Sequence, residues 1–105
     1  VLLSMDNRRK VLNCTTIFEG SVNATEINVR LALQQALRDN ATVAVLAHNH
    51  PNGTPTPSQE DFDMTDRLQR TLSELGLELV DHCVVARSNF TSIGRLRSGS
   101  LRKRY

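Results

Sequence analysis

The chain has 105 residues, 39% of them apolar, which fits one compact domain with a single core. The formal net charge is +2, and residues 94–105 hold five basic side chains and no acidic one. No run approaches the roughly 18 uninterrupted apolar residues of a membrane-spanning helix, and the amino terminus lacks a secretory signal, so we expect a soluble, cytoplasmic protein without membrane partners.

Periodicity predicts the element order ββαβαββ, an α/β fold in which helices pack on a mixed sheet. Residues 1–5 and 11–18 are apolar runs separated by DNRRK, which predicts an antiparallel hairpin. Over residues 28–37 apolar residues recur at helical spacing, with Asn28 available as N-cap. They are Val29, Ala32, Leu33, Ala36 and Leu37. Residues 42–47, TVAVLA, are typical of a central strand covered on both sides.

A second helix is predicted from Ser58 to about Leu75, with Gly76 just past its end. The expected inner stripe of this helix consists of Phe62, Thr65, Leu68, Leu72 and Leu75. Residues 77–86 and 90–95 then predict two further strands. Cys14 and Cys83 belong to no CxxC pair, so we expect reduced, buried thiols in a cytosolic protein.

Two histidines follow the predicted central strand. Alternate strand residues share a face, so His48 and His50 point the same way with Cα atoms roughly 6.5 Å apart. The stiff segment PNGTPTP then leads into the second helix, where Ser58 and Asp61 share one face of the first turn. Two neutral histidines and one carboxylate, with a position left for water, have the composition of a catalytic zinc site. A hard carboxylate with imidazoles favours zinc over magnesium or calcium.

Each part of this pattern also has a purely structural interpretation. Ser58 and Asp61 approximate a capping box, and an acidic first turn suits the helix dipole, so capping alone explains the pair. Histidines at strand ends are ordinary surface residues. Asp81 and His82 are expected to be structural, satisfying backbone groups of nearby loops. Because neighbouring strand residues face opposite ways, His82 and Cys83 cannot both join one site.

The joint pattern H-x-H-x(7)-S-x-x-D resembles the JAMM signature of JAB/MPN-domain zinc metalloproteases. More closely, LAHNHPNGTPTPSQED followed by LGLELVDHCVVA is similar to the JAB domain of the RadC family. The similarity extends upstream through IFEGSVN and VRLALQQAL and covers most of residues 1–93. The adjacent letters H-N-H do not reproduce the HNH nuclease motif, whose residues are dispersed.

The resemblance implies a cytidine-deaminase-like (JAB/MPN) three-layer fold over residues 1–93, followed by a basic tail of residues 94–105. It implies Zn²⁺ held by His48, His50 and Asp61, with water as the fourth ligand. Ser58 would be catalytic and help to hold that water or the oxyanion.

A general-base glutamate completes the family pattern and lies just before its first strand. The chain begins at Val1 inside an apolar run, so we expect a piece of a longer protein, with this glutamate upstream. Glu19 and Glu26 are weaker candidates within the chain. Leu31 is a second departure, because relatives usually carry an acid there.

Two functions of different class follow. One is hydrolysis of peptide or isopeptide bonds in a protein or peptide substrate. The other is a non-catalytic or DNA-repair-associated module that binds nucleic acid or protein on the same fold. Residues 1–93 hold 8 basic and 11 acidic side chains, whereas residues 94–105 hold five basic ones. This tail could contact nucleic-acid phosphates, or it could be a solvated, frayed terminus.

Overall fold

The computed structural model describes residues 1–17, 25–50 and 53–96, with only the backbone of residues 25–27. The strands are β1 (Leu2–Met5), β2 (Val11–Thr15), β3 (Val43–Asn49), β4 (Glu78–Ala86) and β5 (Asn89–Ser92). The helices are α1 (Thr25–Arg38), α2 (Gln59–Glu74) and α3 (Ile93–Leu96). The predicted order ββαβαββ is confirmed, and the described residues add the short helix α3 within the segment predicted as the last strand.

One mixed sheet of five strands organises the domain, in the order β2-β1-β3-β4-β5. β1 is antiparallel to both β2 and β3, β3 is parallel to β4, and β5 is antiparallel to β4. The connections through α1 and α2 therefore join parallel strands and run in the same direction across the sheet. Because such crossovers are right-handed, both long helices lie on the same face.

The core lies between this face and the two long helices. Leu2, Ala44 and Leu46 of the sheet belong to the same buried cluster as Ala32 of α1 and Leu68 of α2. On the opposite face α3 packs near β4, where Asp81 accepts a hydrogen bond from the Gly94 N–H at 3.0 Å. The layers are thus helices, sheet and a small third layer, as expected for an α/β fold of the JAB/MPN type.

The central position of β3 is confirmed, but its cover is unequal. Leu46 is fully buried under the long helices, whereas Val45 and Ala47, which point to the other face, are partly exposed. The continuous apolar run identified a central strand without showing that one of its faces is only partly covered.

Several expected details of the helices are wrong. α1 begins at Thr25, so Asn28 is a buried residue of its first turn and not its N-cap. Leu37 and Leu75 are each 52% exposed, because both lie at the carboxyl-terminal ends of their helices. Phe62 is half-buried, whereas Met64 and Gln69, absent from the predicted stripe, are buried.

The predicted end of α2 is confirmed. Leu75 caps the helix, and Gly76 follows with φ of 80°, a left-handed conformation that glycine adopts without strain. The Leu77 N–H donates to the Leu72 carbonyl at 2.8 Å and the Gly76 N–H to that of Ser73 at 3.1 Å. These two bonds form a Schellman motif, which turns the chain into β4.

The prediction that both cysteines are buried is wrong for Cys14, which is exposed on the edge strand β2. Cys83 is half-buried on β4, and burial and the neighbouring Asp81 raise the pKa of its thiol to about 11. Both are free thiols. None of the described helices is long and apolar enough to cross a membrane.

Asp39, just after α1, connects this helix to the first two strands through hydrogen bonds. Its carboxylate accepts hydrogen bonds from Ser4 of β1 at 2.7 Å, Asn13 of β2 at 3.0 Å and Gln35 of α1 at 2.9 Å. Burial by itself raises the pKa of Asp39, but these hydrogen bonds outweigh it and hold the pKa below its ordinary value. Ser4 is fully buried, so its hydroxyl depends on this partner.

We expect Asp39→Ala to lower the free energy of unfolding by about 2 kcal/mol, because the buried Ser4 hydroxyl loses its acceptor. Urea denaturation at neutral pH measures this change. The control is Asp63→Ala on the exposed side of α2, where the carboxylate accepts an exposed hydrogen bond from Gln59. Equal effects of the two substitutions would show that the Asp39 contacts add nothing to stability.

Candidate metal centre

The two histidines are positioned by the parallel pairing of β3 with β4. In the register of these strands, His48 lies opposite Val84 and Asn49 lies opposite Val85. The His50 N–H then donates to the Val85 carbonyl at 2.8 Å, so the extended backbone continues one residue past the strand. His48 and His50 therefore project on the same side, as their spacing predicts.

A backbone hydrogen bond links Gly53 to the end of the strand. The Gly53 N–H donates to the His50 carbonyl at 3.3 Å, and Gly53 has φ of 84°. A Cβ on Gly53 would lie 3.3 Å from Nε of Arg87, in the turn between β4 and β5. A side chain at this position would therefore be strained in its backbone and crowded by Arg87.

Ser58 starts α2 in the way that its sequence predicts. It is the N-cap, and its hydroxyl accepts from the Asp61 N–H at 3.2 Å. The Asp61 carboxylate accepts in return from the Ser58 N–H at 2.8 Å and from the Ser58 hydroxyl at 3.0 Å. The capping box is therefore formed, and it fixes the direction of the Asp61 side chain.

The structure brings the three predicted metal ligands together. One ligand atom from each of His48, His50 and Asp61 lies within 4.8 Å of the other two. Nε2 of His50 is 2.9 Å from Oδ2 of Asp61, and Nε2 of His48 is 3.8 Å from Oδ1. The two rings are perpendicular, with centroids 5.1 Å apart. Ser58 lies next to this group, because its hydroxyl bonds to Oδ2 of Asp61. The metal-binding role of the three ligands and the catalytic role of Ser58 stay predictions.

Electrostatics keep Asp61 and His48 in the protonation states that bind a metal. Burial by itself raises the pKa of Asp61, but the Ser58 hydrogen bonds and the nearby His48 outweigh it, so the pKa lies below its ordinary value. Burial lowers the pKa of His48, with Asp61 opposing the shift and His50 adding to it. The result at neutral pH is an ionised carboxylate beside a neutral imidazole, the forms that metals bind.

The contacts of His50 also fit a cation. Its Nδ1 lies 3.2 Å from the Thr54 carbonyl oxygen, and its Nε2 faces the Asp61 carboxylate. Both neighbours are acceptors, whereas a neutral imidazole has one N–H. A protonated ring satisfies both, and so does a cation on the Nε2 side with Nδ1–H donating to Thr54. The second arrangement is the usual one for a metal-binding histidine.

His82 lies deeper than its expected role implies. It is fully buried on the α2 side of β4, and its Nδ1 is 2.7 Å from the hydroxyl of Thr65. Asp81 points to the other face and accepts from the Ser92 hydroxyl and from the Gly94 N–H. Asp81 thus accepts from a backbone N–H as expected, but this N–H belongs to α3 and not to a loop, and His82 bonds a helix side chain. Thr65 was predicted only as a core residue, although its spacing of four from Asp61 places both on one helix face.

Other predicted features lie outside the described residues. These are Glu19, the side chain of Glu26 and residues 97–105 of the basic tail. The expected boundary between residues 93 and 94 falls inside α3, whose Ile93 and Gly94 are buried.

Comparison with known proteins defines the class. The model of the RadC-like JAB domain family matches residues 1–99. A UPF0758 protein of Clostridium perfringens is 34% identical over 93 residues, which are 89% of this chain and 41% of that protein. A UPF0758 protein of Halalkalibacterium halodurans is 39% identical over 93 residues, 89% of this chain and 40% of that protein. One of Stenotrophomonas maltophilia is 41% identical over 83 residues, 79% of this chain and 36% of that protein.

The chain belongs to the RadC-like JAB domain family, as its motif predicted. It spans about two fifths of the length of these curated relatives. Their name, UPF0758, states no activity.

The buried His82 predicts a pH-dependent stability. Burial lowers its pKa from 6.5 to about 4, so between these values the unfolded chain binds a proton that the folded chain does not. The contribution of neutral His82 to the free energy of unfolding is therefore complete above pH 6.5. It is lost as the pH falls toward 4, and the loss amounts to up to about 3 kcal/mol. We expect the free energy of unfolding of the metal-free protein, measured in urea, to fall over this pH range. In His82→Asn this fall should be smaller by up to about 3 kcal/mol. The same pH dependence in both proteins would contradict the assignment.

Proposed function

We propose that this domain is a zinc-dependent metallohydrolase of the JAMM type that hydrolyses peptide or isopeptide bonds in a protein or peptide substrate. The observation that carries the proposal is the convergence of His48, His50 and Asp61 within 4.8 Å, from the end of β3 and the first turn of α2. Membership of the JAB family supports it. The free thiols of Cys14 and Cys83 agree with a cytoplasmic location, which we include in the proposal.

The donor set supports zinc. Two imidazole nitrogens and one carboxylate oxygen suit this metal, and three protein ligands leave a coordination position open to substrate or water. Magnesium and calcium prefer sites made of oxygen atoms. A zinc ion bound there supplies Lewis-acid activation of water and polarisation of the substrate carbonyl.

The protein side chains have distinct tasks in this proposal. His48 and His50 donate neutral imidazole nitrogens, and their partial exposure gives substrate access from one side. Asp61, 6% exposed, contributes negative charge from a fixed direction because Ser58 holds its Oδ2 atom. Its Oδ1 atom points toward His48 and takes no part in the capping box, so it is the oxygen better placed to bind a cation.

Ser58 combines two tasks. Its hydroxyl caps α2, and the same hydroxyl is adjacent to the carboxylate of a candidate ligand. We propose that, when substrate is bound, the Ser58 hydroxyl turns its single proton away from Asp61 and donates it to the oxyanion that develops on the substrate carbonyl. One such donor is worth roughly 2.7–4 kcal/mol in other hydrolases. Proton transfer requires a general base, which we assign to a glutamate upstream of Val1.

Zinc binding is the first test. Purified protein should bind one equivalent of zinc, and His48→Ala should remove most of this affinity because one of three protein ligands is lost. Gln34→Ala on the exposed face of α1 is the control and should bind as the parent does. Absence of stoichiometric zinc in the parent would favour the alternative of a non-catalytic nucleic-acid or protein interaction module. Tight zinc in His48→Ala would locate the metal elsewhere.

Hydrolysis is the second test. We expect the 105-residue chain to bind zinc but to turn over peptide or isopeptide substrates slowly. A chain extended upstream by about ten residues that include a glutamate should be faster by about a hundred- to ten-thousand-fold, the usual range for general-base catalysis.

Changing the added glutamate to glutamine should remove the gain. If the short chain is equally active and Glu19→Gln or Glu26→Gln abolishes the activity, the base lies within the sequence. No hydrolysis by any of these zinc-loaded proteins would contradict the proposed activity.

A further inference from the structure

A buried polar pair lies behind the candidate metal centre. His82 of β4 is 0% exposed and stands beside Leu46 in the parallel register, two residues before His48 on β3. Its ring centroid is 6.4 Å from that of His48, and the planes are nearly perpendicular at 79°. Thr65, its hydrogen-bond partner on α2, is also 0% exposed.

The hydrogen bonds of this pair run in one direction. The Thr65 hydroxyl donates to the Asp61 carbonyl oxygen at 2.8 Å, and a hydroxyl has a single proton. The Thr65 oxygen therefore accepts from Nδ1–H of His82 at 2.7 Å, which fixes the neutral tautomer of this histidine. A chain of two bonds thus joins β4 to the backbone of the residue that supplies the candidate carboxylate ligand.

Packing alone does not account for an imidazole at this position. Among the described residues Nε2 of His82 has no hydrogen-bond partner, although it is buried. An unsatisfied buried polar atom costs about 1–3 kcal/mol, a cost that an apolar side chain would avoid. The same interface of α2 with the sheet includes the buried apolar residues Met64, Leu68 and Leu79. The retained polar pair therefore calls for a role besides filling space.

We propose that His82 and Thr65 are positioning residues that fix the position of α2 on the sheet. The position of α2 in turn fixes the position of the Asp61 carboxylate relative to His48 and His50. Apolar contacts tolerate small shifts of a helix along its axis, whereas a short, directional hydrogen bond defines one position. The bond to the Asp61 carbonyl lies in the same turn as its carboxylate. The nearby, nearly perpendicular His82 ring also limits the orientations open to the His48 ring.

This inference rests on the proposed zinc site and is tested by metal affinity. Thr65→Val keeps the shape of the side chain and removes the hydroxyl, while Thr65→Ser keeps the hydroxyl. His82→Phe removes the N–H donor, while His82→Asn keeps an N–H near the position of Nδ1. Zinc dissociation constants by chelator competition, with the melting temperature of each metal-free variant, are the measurements.

We expect Thr65→Val and His82→Phe each to raise the zinc dissociation constant about tenfold, at the lower end of the effect of groups that orient metal ligands. Thr65→Ser and His82→Asn should stay within about threefold of the parent, because the bridge remains. The double variant Thr65→Val/His82→Phe should have about the same zinc dissociation constant as the weaker-binding single variant. Both substitutions remove the same connection, so their effects should not add.

Leu68→Val is the control for a general loss of stability, because it loosens the same interface and leaves the bridge intact. Its melting temperature should fall while its zinc affinity stays within about threefold of the parent. Zinc affinity that follows melting temperature across all variants, Leu68→Val included, would overturn the positioning role, as would unchanged affinity in Thr65→Val. A parent chain that binds no zinc would instead contradict the proposed function itself.

Discussion

The Asp61 carboxylate is the group on which the arrangement of this domain depends. Its Oδ2 atom accepts from the backbone and side chain of Ser58, closing the amino-terminal end of α2, and also faces Nε2 of His50. Its Oδ1 atom faces His48. One carboxylate therefore connects the start of a helix with the end of a parallel strand. Since the group is 6% exposed, hydrogen bonds and nearby imidazoles, and not water, stabilise its charge.

The sheet topology makes this meeting possible. In parallel strands joined by a crossover, the carboxyl end of β3 and the amino end of α2 lie at the same edge, where open α/β sheets commonly bind ligands. The pairing of β3 with β4 extends through Asn49, and the His50 N–H continues it to Val85. The histidines thus stand on a rigid support, and the intervening loop has only to bring Ser58 back to the sheet.

The sequence predicted features that depend on local spacing. The apolar run of β3 and the alternation of His48 and His50 are properties of a few consecutive residues, and so is the cap at Ser58. The start of α1 was misplaced at Asn28, because a residue suited to capping is also tolerated when buried in a first turn. Cys14 was expected inside, but β2 forms an edge of the sheet, and only the assembled order of strands shows this. The contact of His82 with Thr65 joins residues 17 positions apart on different elements, so no local pattern indicates it.

The capping and metal-binding interpretations of Ser58 and Asp61 are compatible, because they use different parts of the same groups. A capping box orients the carboxylate through Oδ2 and leaves Oδ1 directed at His48. Without the cap, the Asp61 side chain could rotate, and a freely rotating carboxylate loses conformational entropy when it binds an ion. With the cap, that entropy is already lost on folding, and a cation meets a carboxylate held in place. The local rule that makes α2 begin at Ser58 therefore also pre-arranges the one anionic ligand of the candidate site.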